Sequence, residues 1–295
     1  MNQSANERPV PKKKQGQFIQ VWKRFRRSKT AMVALIIIIL LILTAIFADV
    51  LVDYDTQVVA QNSADRLMKP CAQHLLGADQ YGRDILARIV YGSRMSLTIG
   101  IGTTIISLLL GAILGSIAGF FGGKLDAVIS RIVDALMCIP ATLMALCIIA
   151  ALGSGLINIM IAITISQVPA FTRLIRSVIM TLRDKDYVEA ARACGTSNLR
   201  IITRHVLPNA LGPIIVQGTM SMADMMLTAA GLGFLGMGIA PPMPEWGTML
   251  SEGREFIRSA SHLVTFPGIA IVLAALCFNL LGDGLRDALD PNLKN

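Results

Sequence analysis

Residues able to carry chemistry are sparse in this sequence, and they are not spaced as a catalytic set. His74, His205 and His262 fall in three separate loops, and no HExxH, GxSxG or Walker A phosphate-binding pattern is present. The five cysteines lack the spacing of a metal site. We therefore expect no catalytic residue, no metal site and no cofactor site, and we expect that the chain does not hydrolyse a nucleotide by itself.

A glycine pattern, GLGFLG at Gly231–Gly236, formally matches the dinucleotide-binding motif GxGxxG. It lies in an apolar stretch without a preceding strand or a surrounding βαβ unit, so it does not predict a nucleotide site. Small residues instead let helices approach each other closely inside a membrane. Gly111, Gly115 and Gly119 have the spacing of a second such face, so we predict close helix packing at both places.

Asp224 is the one charged residue in the apolar stretch from Val206 to Pro244. A carboxylate inside a membrane span usually faces a cavity or a partner, because exposing it to lipid is costly. Two interpretations stay open. Asp224 either forms a hydrogen bond between helices, or it lines a pore and favours cationic or amine-bearing cargo.

A charged segment, YVEAARACGTSNLRIITRHVLPN, separates two apolar stretches at residues 187–209. Its alanines and the early Glu189 favour a helix that Gly195 ends, and Ser197 is placed to cap a second helix. Pro208 then starts the next apolar stretch. The pattern predicts a helix–turn–helix elbow joined to two spanning helices. From the residues alone, this elbow either docks into a groove of a soluble partner or lies on the membrane surface.

Apolar helices are the elements that must position these residues. The chain is 54% hydrophobic and 16% charged, whereas soluble domains average about 25% charged residues. One membrane span needs about 20 apolar residues. The apolar runs therefore predict an all-α membrane protein with six transmembrane helices, at residues 30–49, 95–121, 135–153, 156–174, 209–236 and 263–282.

Basic residues predict the orientation, because Lys and Arg favour the cytoplasmic side of a membrane. With both termini inside, the cytoplasmic segments hold 20 of the 27 Lys and Arg residues. We expect a multi-pass protein of the cell (inner) membrane with cytoplasmic termini. The basic groups Lys12–Lys14 and Lys23–Arg27 are an orientation signal or a contact for anionic membrane lipid, and nucleic acid is not an expected partner.

This orientation divides the chain into four parts. Residues 1–30 form a basic cytoplasmic tail, 31–94 the first span and an extracytoplasmic loop, 95–285 a core of five spans, and 286–295 a second cytoplasmic tail. The elbow occupies residues 184–208 of the core. Within the extracytoplasmic loop, the stretch from Asp84 to Tyr91 is expected to form one or two helical turns along the membrane surface before the second span begins at Met95.

Four motifs in the same order resemble one protein family. EAARACG followed by IITRHVLPN resembles the EAA loop of ABC importer permeases. The segments LGADQYGRD, GFLGMGIAPPMPEWGTML and NLLGDGLRDALDPNL resemble the C-type permease subunit of the oligopeptide, dipeptide and nickel importers. The resemblance covers nearly the whole chain after Val21.

The resemblance implies a type I ABC importer (MetI-like) permease fold, in which cytoplasmic coupling helices contact an ATPase. The residues that match the coupling motif are Glu189, Ala190, Ala191, Gly195, Leu207 and Pro208. The implied partners are a second, B-type permease, two ATPase subunits that use ATP and Mg²⁺, and an extracytoplasmic substrate-binding protein. The implied function is uptake of di- or oligopeptides, with nickel complexes or glutathione as alternative cargo.

An ion-coupled secondary transporter or a channel is the alternative from a different functional class. It predicts inverted repeats and discontinuous helices with polar centres. The sequence shows no such repeat, and its apolar runs carry few polar groups.

Overall fold

Helices satisfy their own backbone hydrogen bonds, as an apolar environment requires. The structure is a computed structural model that describes residues 17–289, and in this range it contains helices and one isolated bridge, between Ala78 and Asp84, but no strand. The α-helices are α1 (Gln17–Phe25), α2 (Lys29–Ile46), α3 (Ala48–Leu51), α4 (Ile85–Phe121), α5 (Gly123–Met137), α6 (Ala141–Leu152), α7 (Leu156–Arg183), α8 (Asp186–Ala193), α9 (Asn198–Ile201), α10 (Leu207–Leu232), α11 (Trp246–Gly253) and α12 (His262–Leu289).

Shorter turns connect these helices. π turns span Tyr54–Val59, Ile202–Val206 and Gly233–Met237, and 3₁₀ turns span Ser63–Asp65 and Arg254–Phe256. The predicted basic group Lys12–Lys14 and residues 290–295 of the predicted C-terminal tail lie outside the described residues.

Five helical runs are long and apolar enough to cross a membrane. They are Lys29–Ile46, Ile85–Phe121, Leu156–Arg183, Asn198–Met237 and His262–Leu289. The bent pair α5 and α6 makes a sixth crossing if the two helices count as one span. The described residues thus match the predicted all-α fold, with five spans, or six if the bent pair counts as one, in the predicted order.

The prediction of one continuous helix at residues 135–153 is wrong. The chain bends by 84° between α5 and α6, and α6 has 12 residues. At about 1.5 Å per residue, α6 is too short to cross a hydrocarbon layer of about 30 Å. Pro140 is the physical reason, because it lacks a backbone N–H and disfavours helical geometry in the residue before it.

Four helices extend beyond their predicted ends. α12 continues to Leu289 past the predicted end at 282. α4 begins at Ile85 and not at Met95, so the predicted surface turns form the first part of one 37-residue helix. α7 continues to Arg183 past the predicted end at 174. The helical run into α10 begins at Asn198. It continues through the π turn Ile202–Val206 into α10, which contains Pro208 in its first turn, so the predicted second elbow helix is continuous with the fifth span. A count of apolar residues stops at charged side chains, whereas a helix can continue through them.

Two apolar cores hold the bundle together. One lies between α2, α4, α10, α11 and α12, and the other between α4, α6, α7 and α10. The bundle has two ends, which we name by their contents. The elbow end contains α8, Gly122 and the contact of Gly284 with Ala31, and the loop end contains the segments 48–84 and 238–261.

The predicted glycine face on α4 packs directly against α7. A Cβ on Gly111 would lie 2.5 Å from the Phe171 Cβ, and one on Gly115 would lie 2.7 Å from the Thr172 carbonyl oxygen. A Cβ on Gly119 would lie 2.8 Å from the Arg176 carbonyl oxygen. No side chain fits in these gaps, so the prediction of close packing at this face is confirmed.

Close packing is also confirmed at the second glycine motif, within its central part. A Cβ on Gly233 would lie 2.8 Å from the Glu245 Oε2 and 2.9 Å from the Thr248 backbone nitrogen. A Cβ on the facing Gly247 would lie 2.5 Å from the Ala230 Cα. α11 therefore lies directly on the end of α10. Gly231, by contrast, has open space at its Cβ position.

We expect Gly115→Ala to destabilise the bundle by about 1–3 kcal/mol, because an added methyl group must push α4 away from α7. The matched control is Gly231→Ala, a helical position at which a Cβ meets open space. There the higher helix propensity of Ala is expected to leave stability unchanged or slightly raised. Thermal unfolding of the two purified variants in detergent measures the difference. Equal midpoints would contradict the assignment of Gly115 to a close contact.

Candidate functional site

The elbow begins where α7 ends and α8 runs from Asp186 to Ala193. Gly195 ends α8 in the left-handed region at φ 75°. The Thr196 N–H donates to the Ala191 carbonyl at 3.1 Å, and the Gly195 N–H donates to the Arg192 carbonyl at 2.9 Å. This is a Schellman C-cap, which requires a residue tolerant of positive φ. The predicted break at Gly195 is confirmed, and its cause is backbone geometry.

An apolar cluster fixes the inner side of the elbow. Val188 of α8, Ile201 of α9 and Val206 of the π turn are fully buried. They pack with Phe120 at the end of α4 and with α7; the remaining buried members of the cluster are Ile175, Ile179, Ile202, Ala210 and Ile214. Burial of one such side chain contributes about 1.5–3 kcal/mol. The elbow is therefore attached to α4, α7 and α10 by its own side chains as well as by the backbone.

Polar contacts hold the same end of the bundle. The Arg183 guanidinium donates to the Gly119 carbonyl at 3.1 Å, and the Arg192 guanidinium lies 5.2 Å from the centre of the Phe120 ring. The first contact joins the end of α7 to α4, and the second joins α8 to α4. A cation over an aromatic face is attracted by the negative face of the ring.

Two ion pairs join α5 to α7. Arg176 forms a bidentate pair with Asp126, with Nη2 2.7 Å from Oδ2, and Arg173 lies 2.6 Å from Asp134. The first pair is largely covered and the second is half exposed. These acids explain how α7 continues through Arg173, at its predicted end, and Arg176, just past it.

The outer face of the elbow is exposed. Of the predicted coupling residues, Glu189, Ala190, Gly195 and Pro208 are exposed, and Ala191 and Leu207 are partly buried against the cluster around Val188. The structure thus brings Ala191 and Leu207 to one apolar cluster and leaves Glu189 and Ala190 free for a contact outside the chain. Leu199, 73% exposed, adds an apolar side chain to this outer face.

Asp224 lies on an exposed face of α10, away from the elbow. Its backbone carbonyl accepts a hydrogen bond from the Thr228 hydroxyl at 2.8 Å. Its carboxylate has no hydrogen bond or ion pair with any residue in the range 17–289. Within that range, therefore, Asp224 does not form a side-chain bridge between helices.

Sequence analysis missed a buried charge network at the loop end. Arg83 Nε lies 2.6 Å from Asp79 Oδ2, and both Arg83 Nη2 and Arg88 Nη2 lie 3.0 Å from Glu252 Oε2. Both arginines are buried. Removing one partner from such a network costs about 3–5 kcal/mol, because the other charge stays buried. The four-residue spacing of Asp79 and Arg83 indicates an ion pair between them in the sequence. The participation of Glu252 in the network depends on the fold and has no such local pattern.

Glu245 is a second residue that sequence analysis missed. It is buried and caps α11, accepting hydrogen bonds from the Gly247 and Thr248 N–H groups at 2.8 Å and from the Ser96 hydroxyl at 3.1 Å. Burial raises the pKa of the Glu245 carboxyl, and the hydrogen bonds oppose that rise. This carboxyl fixes α11 against α4, next to the contact at Gly233.

His74 connects the extended loop to the start of α4. Its Nδ1 lies 2.7 Å from Asp84 Oδ2, and its Nε2 lies 3.5 Å from Asp65 Oδ2. Asp84 also caps α4 by accepting the Ala87 N–H. The hydrogen bond with Asp84 raises the pKa of His74 above its ordinary value. Across residues 17–289, no group of three or more His, Cys, Asp or Glu side chains is arranged to hold a metal ion.

Comparison with known proteins gives consistent matches. Residues 111–295 match the family described as binding-protein-dependent transport system inner membrane component. Residues 16–70 match the N-terminal transmembrane domain of oligopeptide transport permease C.

Individual relatives are similar over almost their full lengths. A dipeptide transport system permease protein of Alkalihalophilus pseudofirmus is 49% identical over 94% of this chain and 90% of its own length. A di/tripeptide transport system permease protein of Pseudomonas aeruginosa is 44% identical, with 93% and 92% covered. A glutathione transport system permease protein of Pectobacterium atrosepticum is 43% identical, with 93% and 91% covered.

The fold also matches a solved structure. A chain of the methionine ABC transporter MetNI in an inward-facing conformation superposes with a TM-score of 0.58 at 18% identity, covering 70% of this chain and 98% of that one. The similarity at this identity concerns the fold alone. It confirms the predicted MetI-like fold class.

We expect the loop end to be more stable in mild acid than in mild base. Because the folded-state pKa of His74 is raised, protonated His74 contributes stability below its unfolded pKa, and this contribution is lost as the pH rises through the folded pKa. Hydrogen exchange of residues 74–87, corrected for intrinsic rates, should show stronger protection at about pH 6 than at about pH 8.5. His74→Gln should abolish the difference and His205→Gln, at the elbow end, should not. An unchanged pH response in His74→Gln would refute the role of this pair.

Proposed function

The chain belongs to the binding-protein-dependent transport system inner membrane component family, and on that premise we propose that it forms half of the translocation path of an ATP-driven importer for di- or oligopeptides. The observation that best supports the coupling role is an exposed elbow held firmly between α7 and the helical run into α10. The relatives named for dipeptide and di/tripeptide transport support peptide cargo. Glutathione is an alternative cargo, supported by a further relative, and nickel complexes are another.

In this proposal α8 is a coupling helix that fits into a groove of a cytoplasmic ATPase. Glu189 and Ala190 contact the ATPase, Gly195 sets the turn, and Ala191, Leu207 and Pro208 hold the elbow on the bundle. The partner ATPases bind ATP and Mg²⁺ and perform the hydrolysis. Because Val188 and Arg192 attach α8 to α4 and α7, a displacement of α8 moves those helices with it.

Partner docking explains the elbow better than a position on the membrane surface. A helix lying on a membrane turns its apolar face outward to the lipid. In α8 the apolar residue Val188 faces inward and is fully buried, while Asp186, Glu189 and Arg192 are exposed. Small and charged residues on a short helix suit a shallow groove on a protein partner.

In the proposed assembly the protein lies in the cell (inner) membrane, and both termini and the elbow face the cytoplasm. The concentration of basic residues in the segments assigned to that side supports the orientation. The complete importer contains a second, B-type permease, two ATPase subunits and an extracytoplasmic substrate-binding protein. Exposed aliphatic side chains, such as Ile36 and Leu40 on α2, contact the membrane lipid.

We expect Glu189→Lys to reduce ATP-driven peptide uptake about tenfold or more, because charge reversal in a docked contact weakens the interface. The test is uptake into proteoliposomes that contain the purified complex, together with co-purification of the ATPase. Glu255→Lys makes the same change at an exposed position of the loop end, opposite the proposed ATPase, and should leave ATPase recovery unchanged. Normal uptake and normal ATPase recovery in Glu189→Lys would contradict the coupling role.

Gly195→Val is expected to impair coupling through the backbone. A residue with a Cβ pays about 1–2 kcal/mol in the left-handed region, and a β-branched residue pays more. Asn tolerates this region, so Gly195→Asn should retain most of the uptake. Open space around the Gly195 Cβ position excludes a steric clash as the cause. We measure uptake and the hydrogen exchange of the backbone N–H groups at positions 195 and 196. The exchange rate should increase in the Val variant alone. Equal uptake in both variants would refute this role.

A further inference from the structure

Asp224 belongs to a polar face that this chain leaves uncovered. Gln217, Asp224, Thr228 and Gly231 recur at helical spacing on one side of α10, and each is exposed or partly exposed. We call these four residues the α10 stripe. It lies in the interior of a helical run long enough to cross a membrane, well away from the elbow.

The uncovered faces of other spanning helices have a different composition. Between Ala31 and Ile46, the exposed side chains of α2 are aliphatic, and the one polar side chain there, Thr44, is partly buried. The same holds for α12 between Pro267 and Leu280, where the one polar amide, Asn279, is partly buried. Such faces match the acyl chains of a lipid bilayer. The α10 stripe instead presents an exposed carboxylate, which is costly to expose to lipid. The partly exposed Gln217 amide and Thr228 hydroxyl lie beside it and form hydrogen bonds within α10. The stripe therefore faces something other than lipid.

The arginines of α4 and α7 are already paired with acids and are not available to neutralise Asp224. In α4, Arg88 pairs with Glu252 and Arg94 with Asp49. In α7, the arginines likewise pair with acids, namely Arg173 with Asp134, Arg176 with Asp126 and Arg183 with Asp184. Asp224 is thus a carboxylate without a counter-charge among residues 17–289.

We propose that Asp224 faces the water-filled cargo path and makes that path select against cargo with net negative charge. The inference rests on the proposed importer function and narrows its cargo. A simple dipeptide carries one ammonium and one carboxylate group at neutral pH, whereas glutathione carries an additional carboxylate. A fixed negative charge in a narrow path repels the second kind of cargo and attracts the ammonium group of the first.

The transport test compares dipeptides that differ in charge and share a free amino terminus. Proteoliposomes with the complete complex take up Ala-Lys or Ala-Glu, and each rate is divided by the measured occupancy of the binding protein. We expect the ratio of Ala-Lys to Ala-Glu uptake to fall about tenfold in Asp224→Asn and to be kept in Asp224→Glu. Thr228→Val, one turn away on the same stripe, changes polarity without changing charge and should also keep the ratio. An unchanged ratio in Asp224→Asn overturns the proposal.

A second measurement separates this proposal from the importer function itself. In a chain whose five native cysteines are replaced by serine, Asp224→Cys should react with a water-soluble cationic thiol reagent in the assembled complex. Leu276→Cys, on the aliphatic face of α12, is equally exposed in the single chain and should not react. Labelling of Cys at 224 without any peptide uptake by the wild-type complex would refute the importer function alone.

Two further results would overturn the proposal about Asp224. One is protection of Cys at 224 from the reagent in every nucleotide state of the complex. The other is loss of the second permease from Asp224→Asn during purification, because that result would assign the carboxylate to the contact between the two subunits.

Discussion

The contact between α4 and α7 is made backbone to backbone, and the other features of the elbow end depend on it. Three glycines of α4 leave no side chain on that face of α4, so the carbonyls of Thr172 and Arg176 lie where such side chains would otherwise be. Close approach of this kind supplies the dispersion attraction that replaces the hydrophobic effect inside a lipid bilayer. It also brings the Gly119 carbonyl within reach of Arg183, which fixes the last turn of α7 before the chain enters the elbow.

The two ends of the bundle are held by different physics. At the elbow end, buried aliphatic side chains such as Val188 and Ile201 attach α8 and α9 to the bundle, and their packing is not directional. At the loop end, Arg83, Arg88 and Glu252 form charge-assisted contacts that need a defined geometry. The apolar attachment permits small sliding of packed helices, while the buried charges resist any separation of α4 from α11. In the proposed coupling role, a displacement at α8 acts on a bundle whose loop end is held by these buried charges.

Sequence reasoning recovered the features that depend on local pattern. Apolar runs predicted the number and order of the spans, glycine spacing predicted the face between α4 and α7, and Gly195 predicted the end of α8. It failed where distant residues decide the outcome. α7 passes Arg173 and Arg176 because Asp134 and Asp126 of another helix accept their charges. The partners Arg88 and Glu252 are 164 residues apart, which no periodicity reveals. Pro140 indicated a break in the helix, but the uncharged apolar run from 135 to 172 led us to predict one straight span across it.

The short length of α8 has a consequence for how the importer is built. An isolated helix of eight residues has little stability in water, so α8 takes its shape from the surface on which Val188 is buried. That surface is made by the ends of α4 and α7 and by the run into α10, which lie on both sides of α8 in the sequence. A nascent chain therefore offers no finished docking helix until its fifth span is in place. In the proposed coupling role, recognition by a soluble partner would therefore also report on membrane insertion, since only a chain with those spans assembled presents the elbow.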